Sequence, residues 1–155
     1  MSSLSQTTGY AILALSCLEV GDGENWILAR DVAACTGIPK PYLSKILHSL
    51  QGSGLIRAKR GYRGGFALSR PSSEISLLQI AEAVAGGAVF GCCLLGLAGC
   101  SEDQPCPAHE FWSMERERIR KRLAKTTLRD VARFERDRGG LRLGSCSAGG
   151  GGDRG

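Results

Sequence analysis

The sequence predicts a mainly α-helical fold with one small β-hairpin. Apolar residues recur at helical spacing in several separate segments, and one short alternating stretch returns through a glycine-rich turn. The chain has 155 residues and is 43% hydrophobic. That content is enough for a packed core, so it excludes wholesale disorder.

Two short helices are predicted over residues 30–36 and 40–51, with Gly37 ending the first of them. In the second, Leu43, Ile46, Leu47 and Leu50 follow the i, i+3, i+4, i+7 rule, so one face belongs to the core. Two helices joined by a short glycine-containing turn make a helix-turn-helix. The second helix exposes basic and small polar residues opposite its apolar face. Its predicted groove-facing surface is formed by Lys40, Pro41, Tyr42, Ser44, Lys45 and His48.

The segment before these helices is predicted to be a buried helix over residues 4–20, followed by a short strand over 26–28. Cys17 and Cys35 lie on apolar helix faces, so both are expected in the core. Cys146 lies in a glycine-rich tail and is expected to be an exposed thiol. The total of seven cysteines is odd, which excludes a fully paired disulfide framework within one chain.

A basic β-hairpin follows the helix-turn-helix. Residues 55–58 alternate as a strand does, 60–65 form a glycine-rich turn and 66–68 return. Its tip carries the cations Lys59, Arg60 and Arg63, close to Arg57. A hairpin in this place is typical of the wing of a winged helix, which contacts DNA beside the groove that the helix enters. A solvated loop with ordinary surface charge is the alternative, although a net charge of +5 is compatible with nucleic acid.

The second half of the chain holds three further predicted helices. Capping-box patterns begin one at Ser76 and another at Thr127. Between them, a long charged helix over 108–124 has a narrow apolar stripe of Ala108, Trp112, Ile119 and Leu123. Such a stripe favours pairing with a second helix, and hence a homodimer, over packing within the chain. Residues 139–155 are glycine-rich and are expected to be disordered.

The segment 83–101 is uncharged, but its five glycines and three cysteines argue against a membrane span. No basic residue precedes the first apolar run, so no secretory signal is predicted and the expected compartment is the cytoplasm. Cysteines there are more often free, catalytic or metal-bound than paired.

A cysteine and histidine cluster follows in the spacing C-x6-C-x5-C-x2-H, formed by Cys93, Cys100, Cys106 and His109. Cys92 is an alternative first ligand. Three thiolates and one imidazole suit a zinc ion or an iron–sulfur cluster, and the spacing does not choose between them. The third possibility is that the cysteines bind no metal and are buried in an apolar packing segment.

The sequence resembles the IscR/NsrR-type winged-helix transcription regulators of bacteria over about residues 10–134. The runs that carry the resemblance are residues 10–12, 38–47, 54–56, 60–68 and 74–77, the three loop cysteines, and Thr127-Leu128. The resemblance implies a homodimer on a partly palindromic operator, with the long helix in its interface. It also implies an iron–sulfur cluster on Cys93, Cys100 and Cys106.

The branches of the family differ in the fourth ligand of the cluster. The nitric-oxide-sensing branch takes it from an acidic residue at a position where this chain has Gly9. The branch that regulates cluster biogenesis uses a histidine at the place of His109, which favours a [2Fe–2S] centre.

These observations predict a winged helix-turn-helix with a long dimerisation helix, divided into four parts. They are a DNA-binding domain (1–85), a cysteine-rich sensor loop (86–110), the dimerisation helix with a short C-terminal helix (111–138) and the tail (139–155). The predicted function is a DNA-binding transcription regulator, not an enzyme, whose partner is double-stranded DNA. The alternatives are a zinc-stabilised or metal-free regulator, or a small iron–sulfur electron-transfer or cluster-carrier protein.

Overall fold

The computed structural model describes residues 5–19, 26–86, 89–90, 93–95, 103 and 105–138. The elements in this part of the chain are α1 (Gln6–Glu19), α2 (Ala29–Thr36), α3 (Lys40–Gly52), β1 (Ile56–Lys59), β2 (Gly65–Leu68), a 3-10 turn (Ser72–Glu74), α4 (Leu77–Ala85), α5 (His109–Lys125) and α6 (Leu128–Asp137). The two strands form one antiparallel hairpin. The expected mainly helical winged-helix fold is therefore confirmed.

Helix α1 lies at the centre of the core. α2, α3, α4 and α6 all pack against it, and Ala11, Ala14, Leu15 and Leu18 are buried along its length. A helix that its neighbours cover on most sides has to be apolar almost all round. This explains why its first charged residue is Glu19, at the C-terminal end.

Helices α2 and α3 form the helix-turn-helix that the sequence predicts. α2 ends at Gly37, which has a left-handed φ of 70° and donates its N–H to the Ala33 carbonyl. Glycine takes this conformation without steric cost, so it allows the sharp turn. α3 begins at Lys40 with Pro41 in its first turn, where the missing proline N–H leaves no hydrogen bond unmade.

The wing is anchored to the segment before α2 by a single bridge. Ile27 donates its N–H to the Phe66 carbonyl (2.9 Å) and accepts from the Phe66 N–H (2.8 Å). The strand expected over residues 26–28 is thus reduced to one bridge at Ile27. It cannot extend further because Leu28 is already the N-cap of α2.

Gly65 allows this close approach of the two backbones. Its φ is 143°, and a Cβ at this position would lie 2.5 Å from the Ile27 carbonyl oxygen. That separation is far below van der Waals contact, so any side chain at residue 65 would push the wing away from Ile27.

Capping boxes begin α4 and α6 as predicted. The Ser76 Oγ accepts from the Gln79 N–H, while the Gln79 side chain accepts from the Ser76 N–H. Thr127 and Asp130 make the same exchange at α6. Hydrogen bonds from the backbone and side chain of Thr127 lower the pKa of the Asp130 carboxyl, because they favour its charged form.

The starts of α4 and α6 are also joined to each other. The Leu77 N–H donates to the Thr126 carbonyl (2.9 Å), and the Leu128 N–H donates to the Ile75 carbonyl (2.8 Å). Because Thr126 directly follows α5, these bonds hold the C-terminal end of the long helix against the start of α4.

Helix α5 packs against α4. Of the predicted apolar stripe, Leu123 is buried within the chain, and the other members (Ala108, Trp112 and Ile119) are half-buried. Two apolar side chains outside that stripe are far more exposed, Phe111 at 61% and Met114 at 68%.

Among the helices that the structure describes, none has the length and apolar composition of a membrane span.

The two helical cysteines differ from each other. Cys17 is buried in α1 as expected, and burial together with a hydrogen bond to Cys35 raises the pKa of its thiol to about 12. The expectation that Cys35 lies in the core is wrong, because the short α2 buries only Val32 and Thr36 and leaves Cys35 exposed. Cys146 and the expected disordered tail lie outside the described residues.

Replacement of Gly65 by alanine is expected to destabilise the protein by roughly 2 kcal/mol, because the added methyl group meets Ile27 and the left-handed φ becomes strained. The matched control is Gly9→Ala in α1, where a Cβ has open space and the higher helix propensity of alanine stabilises by up to about 1 kcal/mol. Urea unfolding measures both. Equal stabilities of the two variants would contradict the role given to Gly65.

Candidate DNA-binding surface and metal centre

The outward face of α3 is set by the burial of its other face. Leu43, Ile46, Leu47 and Leu50 are at most 2% exposed and pack in the core around α1. A helix buried along one stripe must present the opposite side chains to solvent. The predicted groove-facing residues are all exposed, namely Lys40, Pro41, Tyr42, Ser44, Lys45 and His48.

The predicted wing cations are exposed as well. Arg57 and Lys59 lie in β1, while Arg60 and Arg63 lie in the turn. Within the described residues, the ion pairs involve none of these four cations, nor Lys40 or Lys45 of α3. Helix α3 and the hairpin that follows it thus carry six cations without carboxylate partners, a charge pattern that suits a phosphate backbone.

The tip of the wing is strongly exposed and tightly turned. Tyr62 is 88% exposed, and the Arg63 guanidinium lies 5.5 Å from the centre of its ring. Gly61 has a φ of 89° and Arg63 a φ of 55°. A Cβ on Gly64 would lie 2.3 Å from the Lys59 carbonyl oxygen, so the turn requires glycine there.

Trp26 is a contributor to this surface that the sequence reasoning missed. The Arg57 guanidinium lies 5.4 Å and the Lys59 ammonium 5.8 Å from the centre of the indole ring. Cations at this distance over an aromatic face are held by cation–π attraction. Trp26 therefore restrains two wing cations. Its signal in the sequence is weak, because the contact depends on the bridge at Ile27, which joins segments distant in the chain.

Of the predicted metal ligands, the structure describes Cys93, Cys106 and His109. Cys93 is buried, and Cys106 and His109 are half-buried. The backbone N–H of His109 donates to the Cys106 carbonyl (2.9 Å), which ties Cys106 to the first turn of α5. The predicted ligand Cys100 and its alternative Cys92 lie outside the described residues. Among the residues that are described, no group of three or more potential ligands converges.

The cysteine-rich segment is also attached to α5 further along the helix. Arg116 donates from its Nη1 to the Phe90 carbonyl (3.5 Å). Together with the bond between His109 and Cys106, this contact connects both ends of the segment to the same helix.

The donor set fits a soft metal centre by its chemistry. Thiolates and a neutral imidazole are ligands for iron–sulfur clusters and for zinc. Cys106 lies three residues before His109, the first residue of α5, and the backbone hydrogen bond between them holds one end of the set at the start of the helix. The described ligands provide two thiols and one imidazole, and the fourth donor depends on Cys100 or Cys92.

Comparison with known proteins gives consistent results. A family model described as "Rrf2: Iron-dependent Transcriptional regulator" matches residues 4–133. A protein of Aquifex aeolicus that is named an HTH-type transcriptional regulator is 31% identical over 133 residues, which cover 84% of this chain and 92% of that protein. The HTH-type transcriptional regulator IscR of Serratia proteamaculans is 29% identical, over 79% of this chain and 74% of its own.

Solved structures share the fold. The oxidized form of Staphylococcus aureus CymR has a TM-score of 0.66 and 26% identity, over 85% of this chain and 96% of its own. IscR of T. potens has a TM-score of 0.66 and 23% identity, over 84% of this chain and 85% of its own, which shows the fold alone. With a family match across most of its length and a relative covered almost end to end, this chain belongs to the Rrf2 family of DNA-binding transcriptional regulators.

Proposed function

We propose that this regulator binds a partly palindromic operator as a homodimer and that an iron–sulfur cluster on its cysteine-rich segment modulates binding. The proposal gives the four predicted parts of the chain separate roles. Residues 1–85 bind DNA, 86–110 sense, 111–138 carry the dimer contact, and 139–155 are dispensable. The observation that carries the DNA-binding part is the set of six exposed cations on α3 and the wing that form no ion pair with the described residues.

In this proposal, α3 enters the major groove and the wing lies along the flanking backbone. Lys40, Lys45 and the wing cations supply phosphate contacts, which dominate affinity and make it depend on salt. Ser44 and His48 are exposed on the same face of α3 and carry short polar groups that suit base edges. Arg57 and Lys59 approach the backbone as a pair, because Trp26 restrains both of them.

The dimer contact is proposed for the exposed side of α5. Phe111 and Met114 are one helical turn apart, and each exposes more than half of its surface. Two large apolar side chains side by side in solvent favour association. A second copy of the chain is the occupant that places two recognition helices on successive half-sites, as a palindromic operator requires.

The cluster is proposed to be [2Fe–2S], held by Cys93, Cys100, Cys106 and His109, with Cys92 as the alternative first ligand. Zinc in the same ligands is the alternative metal. The iron dependence in the family description and the IscR relatives support the iron–sulfur form. A bound cluster would supply reversible one-electron chemistry. Ligation would fix Cys106 and His109 at the start of α5, and the Arg116–Phe90 contact would hold the other end of the segment.

The role of α3 is tested with Lys45→Ala. This variant is expected to weaken operator binding and to reduce the slope of log affinity against log salt by about 0.9, because one phosphate contact is lost. The matched control is Arg30→Ala in α2, which removes the same charge from a side chain already paired with Asp31 and outside both proposed contact surfaces. Fluorescence anisotropy over a salt series measures both. An unchanged slope for Lys45→Ala, or equal changes in both variants, would contradict the assignment.

The metal is tested by anaerobic purification followed by iron, acid-labile sulfide and zinc analysis and a visible absorption spectrum. The expected result is iron and sulfide in equal amounts, with both lost in Cys106→Ala. The control Cys35→Ala removes an exposed thiol of α2 that is not a proposed ligand, and it is expected to leave the metal content unchanged. A colourless protein that contains stoichiometric zinc would overturn the iron–sulfur proposal and leave the DNA-binding surface unaffected.

A further inference from the structure

A cavity of about 480 Å³ lies where the base of the wing meets the C-terminal end of α1 and the start of α6. Its size is within the range of small-molecule sites. Arginines and serines dominate its polar lining, namely Arg57, Ser69, Arg70, Ser72, Ser73 and Arg129. None of these residues except Arg57 belongs to the proposed DNA-binding surface.

The charge balance of this wing–α6 cavity favours an anion. Glu19 is the single acidic residue among its described lining, and both carboxylate oxygens are already engaged. Its Oε1 accepts from the Ser72 hydroxyl (3.1 Å), and its Oε2 accepts from Arg136 (2.6 Å). Within the described part of the chain, Arg57, Arg70 and Arg129 form no ion pair. Three guanidinium groups thus border the cavity without an ion pair to any carboxylate of the described residues.

Arg70 also has a donor group without a hydrogen-bond acceptor among the described residues. Its Nε–H is buried and has no acceptor among the described residues. A buried charged donor without an acceptor is costly, so such atoms usually mark a missing partner. Arg70 lies between the wing–α6 cavity and a smaller one of about 300 Å³, which Glu82 also lines. A ligand with acceptor oxygens at this junction would satisfy the Nε–H.

We propose that the wing–α6 cavity binds a small ligand that carries a phosphate group. Guanidinium forks bind phosphate oxygens through paired, charge-assisted hydrogen bonds. Ser69 and Ser73 can add hydroxyl donors, whereas the Ser72 hydroxyl already donates to Glu19. Three cations around one cavity match a dianionic phosphate better than a single carboxylate. Because Arg57 also belongs to the wing, a bound phosphate competes with DNA for this side chain. That coupling rests on the proposed function, whereas the binding itself does not.

Binding is tested on the full chain without DNA. The probe is inorganic phosphate, titrated at constant ionic strength with chloride as the balancing ion, and the readout is the set of arginine Nε–H signals in ¹⁵N NMR spectra. Saturable shifts are expected for Arg57, Arg70 and Arg129, with affinity at least about tenfold lower in Arg129→Gln. Arg120→Gln removes the same charge from an exposed position on α5 outside the cavity and is expected to leave the affinity unchanged.

Arg129→Lys is a second variant that separates loss of binding from loss of folding. It keeps the positive charge but lacks the two parallel donors of the guanidinium group, so a phosphate affinity between those of the wild type and Arg129→Gln is expected. Absence of saturable shifts, or equal losses in Arg129→Gln and Arg120→Gln, would overturn the site. If phosphate does not bind but Arg129→Gln weakens DNA binding, the cavity takes a backbone phosphate and the small-ligand proposal is wrong.

The coupling has its own measurement. Phosphate at saturation is expected to weaken operator binding by the wild type and not by Arg129→Gln, at matched ionic strength. An equal effect on both proteins contradicts competition through Arg57 without affecting the binding result. A protein that shows the phosphate shifts but binds no DNA at all would refute the proposed function and leave the site standing.

Discussion

The structure depends most on the burial of one face of α3 against the core around α1. Leu43, Ile46, Leu47 and Leu50 are almost completely buried, and each such side chain contributes about 1.5–3 kcal/mol relative to exposure. This energy fixes the rotation of α3 about its own axis. The direction in which Lys45 and its polar neighbours point therefore follows from core packing and not from any interaction of their own.

A second constraint places the wing relative to that helix. The bridge between Ile27 and Phe66 attaches the hairpin to the chain just before α2, and Gly65 makes the approach possible. The same contact brings Trp26 beside Arg57 and Lys59. One short backbone contact thus sets the position of the wing and the arrangement of its cations. Arg57 also borders the wing–α6 cavity, so the hairpin is the element shared by both proposed sites.

Local signals in the sequence predicted much of this architecture. The start of α3 at Lys40 and the capping boxes at Ser76 and Thr127 depend on residues three or four apart, so they can be recognised without the fold. The role of Trp26, the exposure of Cys35 and the exposed pair Phe111 and Met114 depend on which distant elements meet. Periodicity finds the apolar face of a helix, but it does not tell what covers that face, as the partly buried stripe on α5 illustrates.

The central claim is that the outward face of α3 and the wing form the DNA-binding surface. Hydrogen exchange of the regulator, free and saturated with operator DNA, tests it most directly, because the amides of each element report separately. Added protection is expected over residues 40–48 and 57–63, with α5 changed less than either. Protection confined to α5 and α6, with α3 and the wing unchanged, would contradict it.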